Sequence, residues 1–154
     1  MLQVCPVPVT MVRSLAVSLD VLVSPPPDTF AVFVNEAGAF SWAELMTRDL
    51  PAAVTFYEAV FGWTEKNGPQ STYKEFEVDG HVVAGGQAIG ADMPAQVPPH
   101  WNIYFGSADV DATAARAAEL GGTVRMPPFD VPDVGRMAVL GGPHHEGFSI
   151  FQFD

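Results

Sequence analysis

The chain has 154 residues, 48% of them hydrophobic and 16% charged, which is enough for one packed domain and is not the composition of a disordered chain. Its formal net charge of −11 lacks the basic excess that a phosphate backbone demands, so nucleic acid is not expected as a partner. A single cysteine, Cys5, excludes an intrachain disulfide framework, and no apolar run reaches the roughly 20 residues needed to span a bilayer.

Residues 1–37 stand apart. "CPVPV" and "SPPPD" interrupt any regular element, because proline removes a backbone donor and restricts the residue before it. The apolar stretch 11–23 is broken by Asp20 and is followed by prolines rather than a small-residue cleavage pattern. The segment reads as an extension or linker, poorly ordered, and the lone thiol gives a cytoplasmic expectation. The domain is placed at 38–154, where 15 acidic and 6 basic side chains carry the acidity.

A strand is predicted over 40–47, "FSWAELMT". Alternate residues of a strand share a face, so Phe40, Trp42, Glu44 and Met46 lie together, opposite the smaller Ser41, Ala43, Leu45 and Thr47. Glu44 is therefore a carboxylate among large apolar neighbours. A helix follows, with Asp49 as N-cap, Pro51 in its first turn, Leu50, Val54, Tyr57 and Phe61 at helical spacing, and Gly62 just past its end. Strands are predicted at 63–66, 72–78 and 82–88, separated by "NGPQS" and "VDG", both turn chemistry.

The same order then recurs. A strand over 101–107 leads to Asp109, a helix rich in alanine and the pair Gly121-Gly122; strands are predicted at 123–126, 136–140 and 147–153. Asp49 to Gly62 and Asp109 to Gly122 both span 13 residues, and Val110, Ala114 and Ala117 take the places of Leu50, Val54 and Tyr57. Aligned on the aspartates, Asn102 matches Trp42 and Tyr104 matches Glu44. The domain is an internal duplication, with units at about 38–90 and 98–154.

"RDLPAAVTFYEAVFGW" after a strand, "DVDATAARAAELGG" after another and a glycine-aromatic last strand resemble the vicinal oxygen chelate superfamily, the glyoxalase, bleomycin-resistance and extradiol-dioxygenase group. The opening "VNEAGAFSWAELMTRD" looks most like the second module of tandem two-module members. The resemblance implies an α+β fold in which two βαβββ units curl one mixed sheet into a cup, helices on the outer face. It also implies four metal-ligand positions inside the cup. Carried over, these fall on Trp42, near Gly85, Asn102 and Phe151. Divalent ions need carboxylate or imidazole donors, so a metal cofactor is not expected.

Glu44 is the sharpest candidate for a binding residue, as a polar anchor in an apolar wall. Trp42, Tyr104 and Phe151 are candidates to stack on a planar or cationic ligand, and Asn102 to hydrogen-bond it. The expected function is a metal-free small-molecule-binding protein that sequesters an organic cationic or aromatic ligand, on the logic of bleomycin-resistance proteins, with a homodimer among the expected assemblies. The alternative is a lyase or dioxygenase-type enzyme, with Glu44 as general base or with a divalent metal held by Glu44 and His100. His144 and His145 in "GGPHHEG" and His81 after "DG" read as turn residues, and "GGQAIG" lacks the following helix of a phosphate loop.

Overall fold

The computed structural model describes residues 35–68, 72–91, 93–132 and 134–153. Residues 1–34, and with them Cys5, lie outside the described residues. Ten elements follow in chain order: β1 (Phe40–Thr47), α1 (Leu50–Phe61), β2 (Thr64–Asn67), β3 (Tyr73–Val78), β4 (His81–Ala88), β5 (His100–Gly106), α2 (Val110–Glu119), β6 (Thr123–Val131), β7 (Gly135–Gly141) and β8 (Gly147–Phe153). No helix among them is long and apolar enough to cross a membrane.

Local chemistry sets the helix ends. Asp49 accepts the Ala52 N–H at 3.0 Å, and Asp109 accepts that of Ala112 at 2.9 Å, each satisfying one orphan donor of a first turn. Gly62 stops α1 at φ 70°, with its N–H on the Glu58 carbonyl. Gly121, at φ 87°, follows α2. The β3–β4 hairpin turns on Asp79 and Gly80, both left-handed at φ 50° and 80°, the pairing that a two-residue turn of matching twist requires.

The strands form one open mixed sheet in the order β2-β3-β4-β1-β5-β8-β7-β6. Its pairing repeats the duplication. In the first unit β1 runs parallel to β4; in the second β5 runs parallel to β8; β1 and β5 meet antiparallel at the centre. Both helices cover the same face. Leu50 and Val54 of α1 bury against Leu45, Phe76 and Ala84, and Val110 and Ala114 of α2 bury against Ala138, Leu140 and Ile150. Each of the buried Leu, Val, Ile and Phe side chains contributes roughly 1.5–3 kcal/mol of apolar transfer. Tyr57 stacks on Trp63 and accepts the Trp101 indole N–H at 2.9 Å. Phe61, placed with the core positions by its spacing, is instead 57% exposed and packs sideways on Tyr57 and Trp63.

Two other expectations change. The sixth strand does not stop at 126 but runs to Val131, through Pro127 and Pro128. β6 is the edge of the sheet, where a missing N–H costs no partner, and its register slips between Val124 and Phe129. Residues 35–37, read with the extension, lie on the sheet: Ala37 bridges Gly106, and Asn35 donates to the Phe40 carbonyl at 3.0 Å. Between the units, the Arg48 guanidinium donates to the carbonyls of Pro94, Ala95 and Val97 at 3.0–3.2 Å, so a single side chain holds the linker against the end of β1.

Candidate functional site

The face left free of helices carries the candidate site. Strand parity puts Leu45 under α1 and turns Trp42, Glu44 and Met46 the other way. Glu44 is only 8% exposed. Its cross-strand neighbours are Gly85 on β4 and Asn102 on β5. Tyr104, one pleat further along β5 and opposite Trp42, donates its hydroxyl to Glu44 Oε1 at 3.1 Å. A second phenol, Tyr73 at the start of β3, lays its hydroxyl over Gly85 beside the same carboxylate and accepts the Trp42 indole N–H at 3.0 Å. On the other side Asn102 and Ser149 are mutually bonded, Nδ2 to Oγ at 2.9 Å and Oγ to Oδ1 at 3.2 Å. Trp42–Tyr73, Tyr104–Glu44 and Asn102–Ser149 thus form three neighbouring hydrogen-bonded pairs across the middle of the sheet.

Burial pushes the Glu44 carboxyl above its ordinary value of 4.5, against the opposing hydrogen bond of Tyr104, the nearby Tyr73 phenol and the attraction of His100. Tyr104 and Tyr73 are both pushed up, first by burial and then by the negative charge of Glu44, so each phenol keeps its proton. Among the described residues no lysine or arginine forms an ion pair with Glu44.

Four of the five residues singled out from the sequence, Trp42, Glu44, Asn102 and Tyr104, are brought into these pairs. Phe151 is not. It is buried edge-on to Phe153 at 4.5 Å between centroids and pairs across strands with Met137. Register explains the difference: Glu44 pairs with Gly85 as its duplicate Tyr104 pairs with Ser149, so Ser149 is the positional twin of Gly85. Sequence reasoning missed Ser149 and Tyr73. The signal for Tyr73 was a glycine inside a strand, which marks close approach of another group. A Cβ on Gly85 would stand 1.8 Å from the Tyr73 hydroxyl oxygen.

The positions that the family resemblance implies for a divalent ion carry none of its usual donors. Trp42, Gly85, Asn102 and either Ser149 or Phe151 supply no carboxylate or imidazole. His100 sits across from Met46 at the rim, exposed, with Nδ1 at 2.8 Å from the Pro98 carbonyl. Among the described residues no three His, Cys, Asp or Glu side chains gather into a metal-holding group. His144 and His145 are exposed in the β7–β8 turn. Two surface grooves lie elsewhere, one along Phe105, Phe148 and Ile150, the other along Leu50, Val54 and Lys74; neither is lined by Glu44.

Residues 39–150 match the model of the Glyoxalase/Bleomycin resistance protein/Dioxygenase superfamily. The chain is 41% identical over 125 residues to a protein of Mycobacterium tuberculosis (strain CDC 1551 / Oshkosh) named "Putative glyoxylase CFP32", an alignment that covers 79% of this chain and 47% of that one. It is 38% identical over 117 residues to the anthracycline biosynthesis protein DauV of Streptomyces sp. (strain C5), over 75% of this chain and 42% of that one. The chain therefore spans about half the length of the curated relatives it matches. Among solved structures, the Mn(II)-bound glyoxalase from Novosphingobium aromaticivorans superposes with a TM-score of 0.51 at 20% identity, over 75% of this chain and 39% of that one, a likeness of fold.

Proposed function

Because the chain belongs to the glyoxalase/bleomycin resistance protein/dioxygenase superfamily, whose members bind small molecules, we propose that its cup binds an organic cation with a planar aromatic part, and does so without a divalent ion. The observation that carries the reading is the direction of the hydrogen bonds. Tyr104 donates to Glu44, Trp42 to Tyr73 and Asn102 to Ser149. With these donors spent within the site, it offers a ligand acceptor capacity and a negative charge. A protonated amine supplies what is missing, and its charge meets a carboxylate that burial has left without a cation. Trp42 and the phenols offer ring faces beside it. The Streptomyces relative is named for anthracycline biosynthesis.

Calorimetric titration with proflavine, a planar cation, and acridone, an uncharged tricycle, tests the proposal. Proflavine is expected to bind and acridone to bind far more weakly. Glu44→Gln is expected to weaken proflavine alone by roughly 10–100-fold, the equivalent of a charge-assisted contact of about 1.5–3 kcal/mol. Equal affinity of the variant and the native protein for both probes would discard the reading.

A second reading is an enzyme of the lyase type in which Glu44 takes a proton from carbon. The raised pKa of Glu44 favours it, since a base is most effective when its pKa approaches the working pH. A turnover rate that rises through one ionisation and vanishes in Glu44→Gln would support this reading over simple binding.

A further inference from the structure

We infer that Tyr73 determines the size of ligand that the first unit's half of the cup admits, by laying its ring over Gly85 beside Glu44. This rests on the cup being the binding site. The ring lies against bare backbone: a Cβ on Gly85 would meet its Oη at 1.8 Å, its Cζ at 2.5 Å and the Trp42 Nε1 at 3.0 Å. Its other end lies against a second glycine, since a Cβ on Gly68 would meet Tyr73 Cδ1 at 2.5 Å. Two side-chain-free positions thus bracket one phenol. Gly85 is the direct cross-strand neighbour of Glu44, so the space the ring fills adjoins the carboxylate that anchors the ligand.

The ring is held by its hydroxyl rather than by a packed core. Trp42 donates to it at 3.0 Å, above the glycine that pairs with Glu44. Tyr73 is half-buried and belongs to neither hydrophobic cluster. The second unit has no counterpart to this arrangement. There the twin of Gly85 is Ser149, fully buried and tied to Asn102, and the twin of Tyr73 by register is Met137, opposite Phe151. The two halves of the duplicated cup therefore differ in how they are filled: one by its own floor residues, the other by a ring reaching over from β3. Removing that ring empties a volume next to Glu44 without touching the floor, the carboxylate or the second unit.

The experiment compares the dissociation constants of a one-ring cation, benzylamine, and a three-ring cation, proflavine, for the native protein and for Tyr73→Ala, Tyr73→Phe and Glu44→Gln. Tyr73→Ala is expected to shift the ratio of the two constants at least tenfold in favour of proflavine. Tyr73→Phe keeps the ring over Gly85 and is expected to hold the native ratio while weakening both probes a few-fold. An unchanged ratio in Tyr73→Ala overturns the inference while leaving the cup as the site, provided Glu44→Gln still weakens both probes. A ratio that moves as far in Tyr73→Phe as in Tyr73→Ala also overturns it, by assigning the selectivity to the hydroxyl. Binding that is absent in every protein, Tyr73→Ala included, overturns both this inference and the reading of the cup on which it rests. Near-native circular dichroism of Tyr73→Ala confirms that the comparison is made on a folded chain.

Discussion

Tyr104 donates its hydroxyl to Glu44 at 3.1 Å, from the position that duplicates Glu44 sixty residues later in the chain. The two units thus touch through equivalent residues, one a phenol and one a carboxylate, where β1 and β5 cross the centre of the sheet. An exact repeat would have set two carboxylates or two phenols against each other. Divergence at this one pair turned a repulsive or neutral contact into a donor–acceptor one. It also fixed the site's polarity, with the charge in the first unit and the donor in the second.

The first prediction concerns pH. The pKa of Glu44 is raised on folding. The stability this group contributes is therefore fully present below its unfolded value, near 4.5, and is lost as pH rises through the higher folded value. Near neutrality the ionised carboxylate costs the empty protein stability. Glu44→Gln is expected to match or exceed the native melting temperature at pH 7, and to lose that advantage at pH 4. A variant destabilised at both pH values in thermal melts would contradict this.

The Tyr104 hydroxyl supports the carboxylate. Tyr104→Phe leaves the ring and removes the donor, so the buried acceptor loses a partner. The expected cost is about 1–2 kcal/mol at pH 7 by urea denaturation. The Glu44 pKa is expected to climb further, because this hydrogen bond is what lowers it most. NMR titration of the side-chain carboxyl reads the direction.

Core and surface aromatics separate cleanly. Phe76 is fully buried between α1 and the sheet, and Phe76→Ala is expected to cost about 3–5 kcal/mol. Phe56 is 57% exposed on α1, and Phe56→Ala is expected to stay within about 0.5 kcal/mol. Equal losses in the two variants would mean that the α1 surface is covered in solution.

Arg48 is expected to act locally. Its three carbonyl contacts hold the linker that joins the units. Arg48→Ala should raise hydrogen exchange and proteolytic cutting across residues 93–99 while the exchange of β1 and β5 stays native. A uniform rise across the sheet would show that the linker contributes to global stability.

Metal content follows from the proposed chemistry. Protein purified without chelators is expected to carry well below one divalent ion per chain by elemental analysis. One tightly held ion per chain would redirect attention to Glu44 and His100 as its ligands.

Much of this fold was legible in the residues themselves. Asp49 and Asp109 announce the helix starts because a cap is a contact of three residues' reach. Asp79-Gly80 announces a hairpin because the turn needs two left-handed residues in a row. The alternation of β1 placed Leu45 under a helix and Glu44 on the free face, since a strand's parity is a property of the strand alone. The thirteen-residue echo between Asp49–Gly62 and Asp109–Gly122 carried the duplication.

What the sequence could not supply was the neighbour across a strand. Parity names a face, not the residue opposite, and that depends on register set by the whole sheet. So Phe151 was grouped with Tyr104 although the pairing sets Ser149 opposite it, and Tyr73 went unnoticed although it lies over Gly85. The prolines of β6 read as a stop, yet the strand continues, because only the assembled sheet makes it an edge that needs no donor there. Local chemistry fixed the elements and their faces; the partners of Glu44 were decided by long-range pairing that no short window of sequence contains.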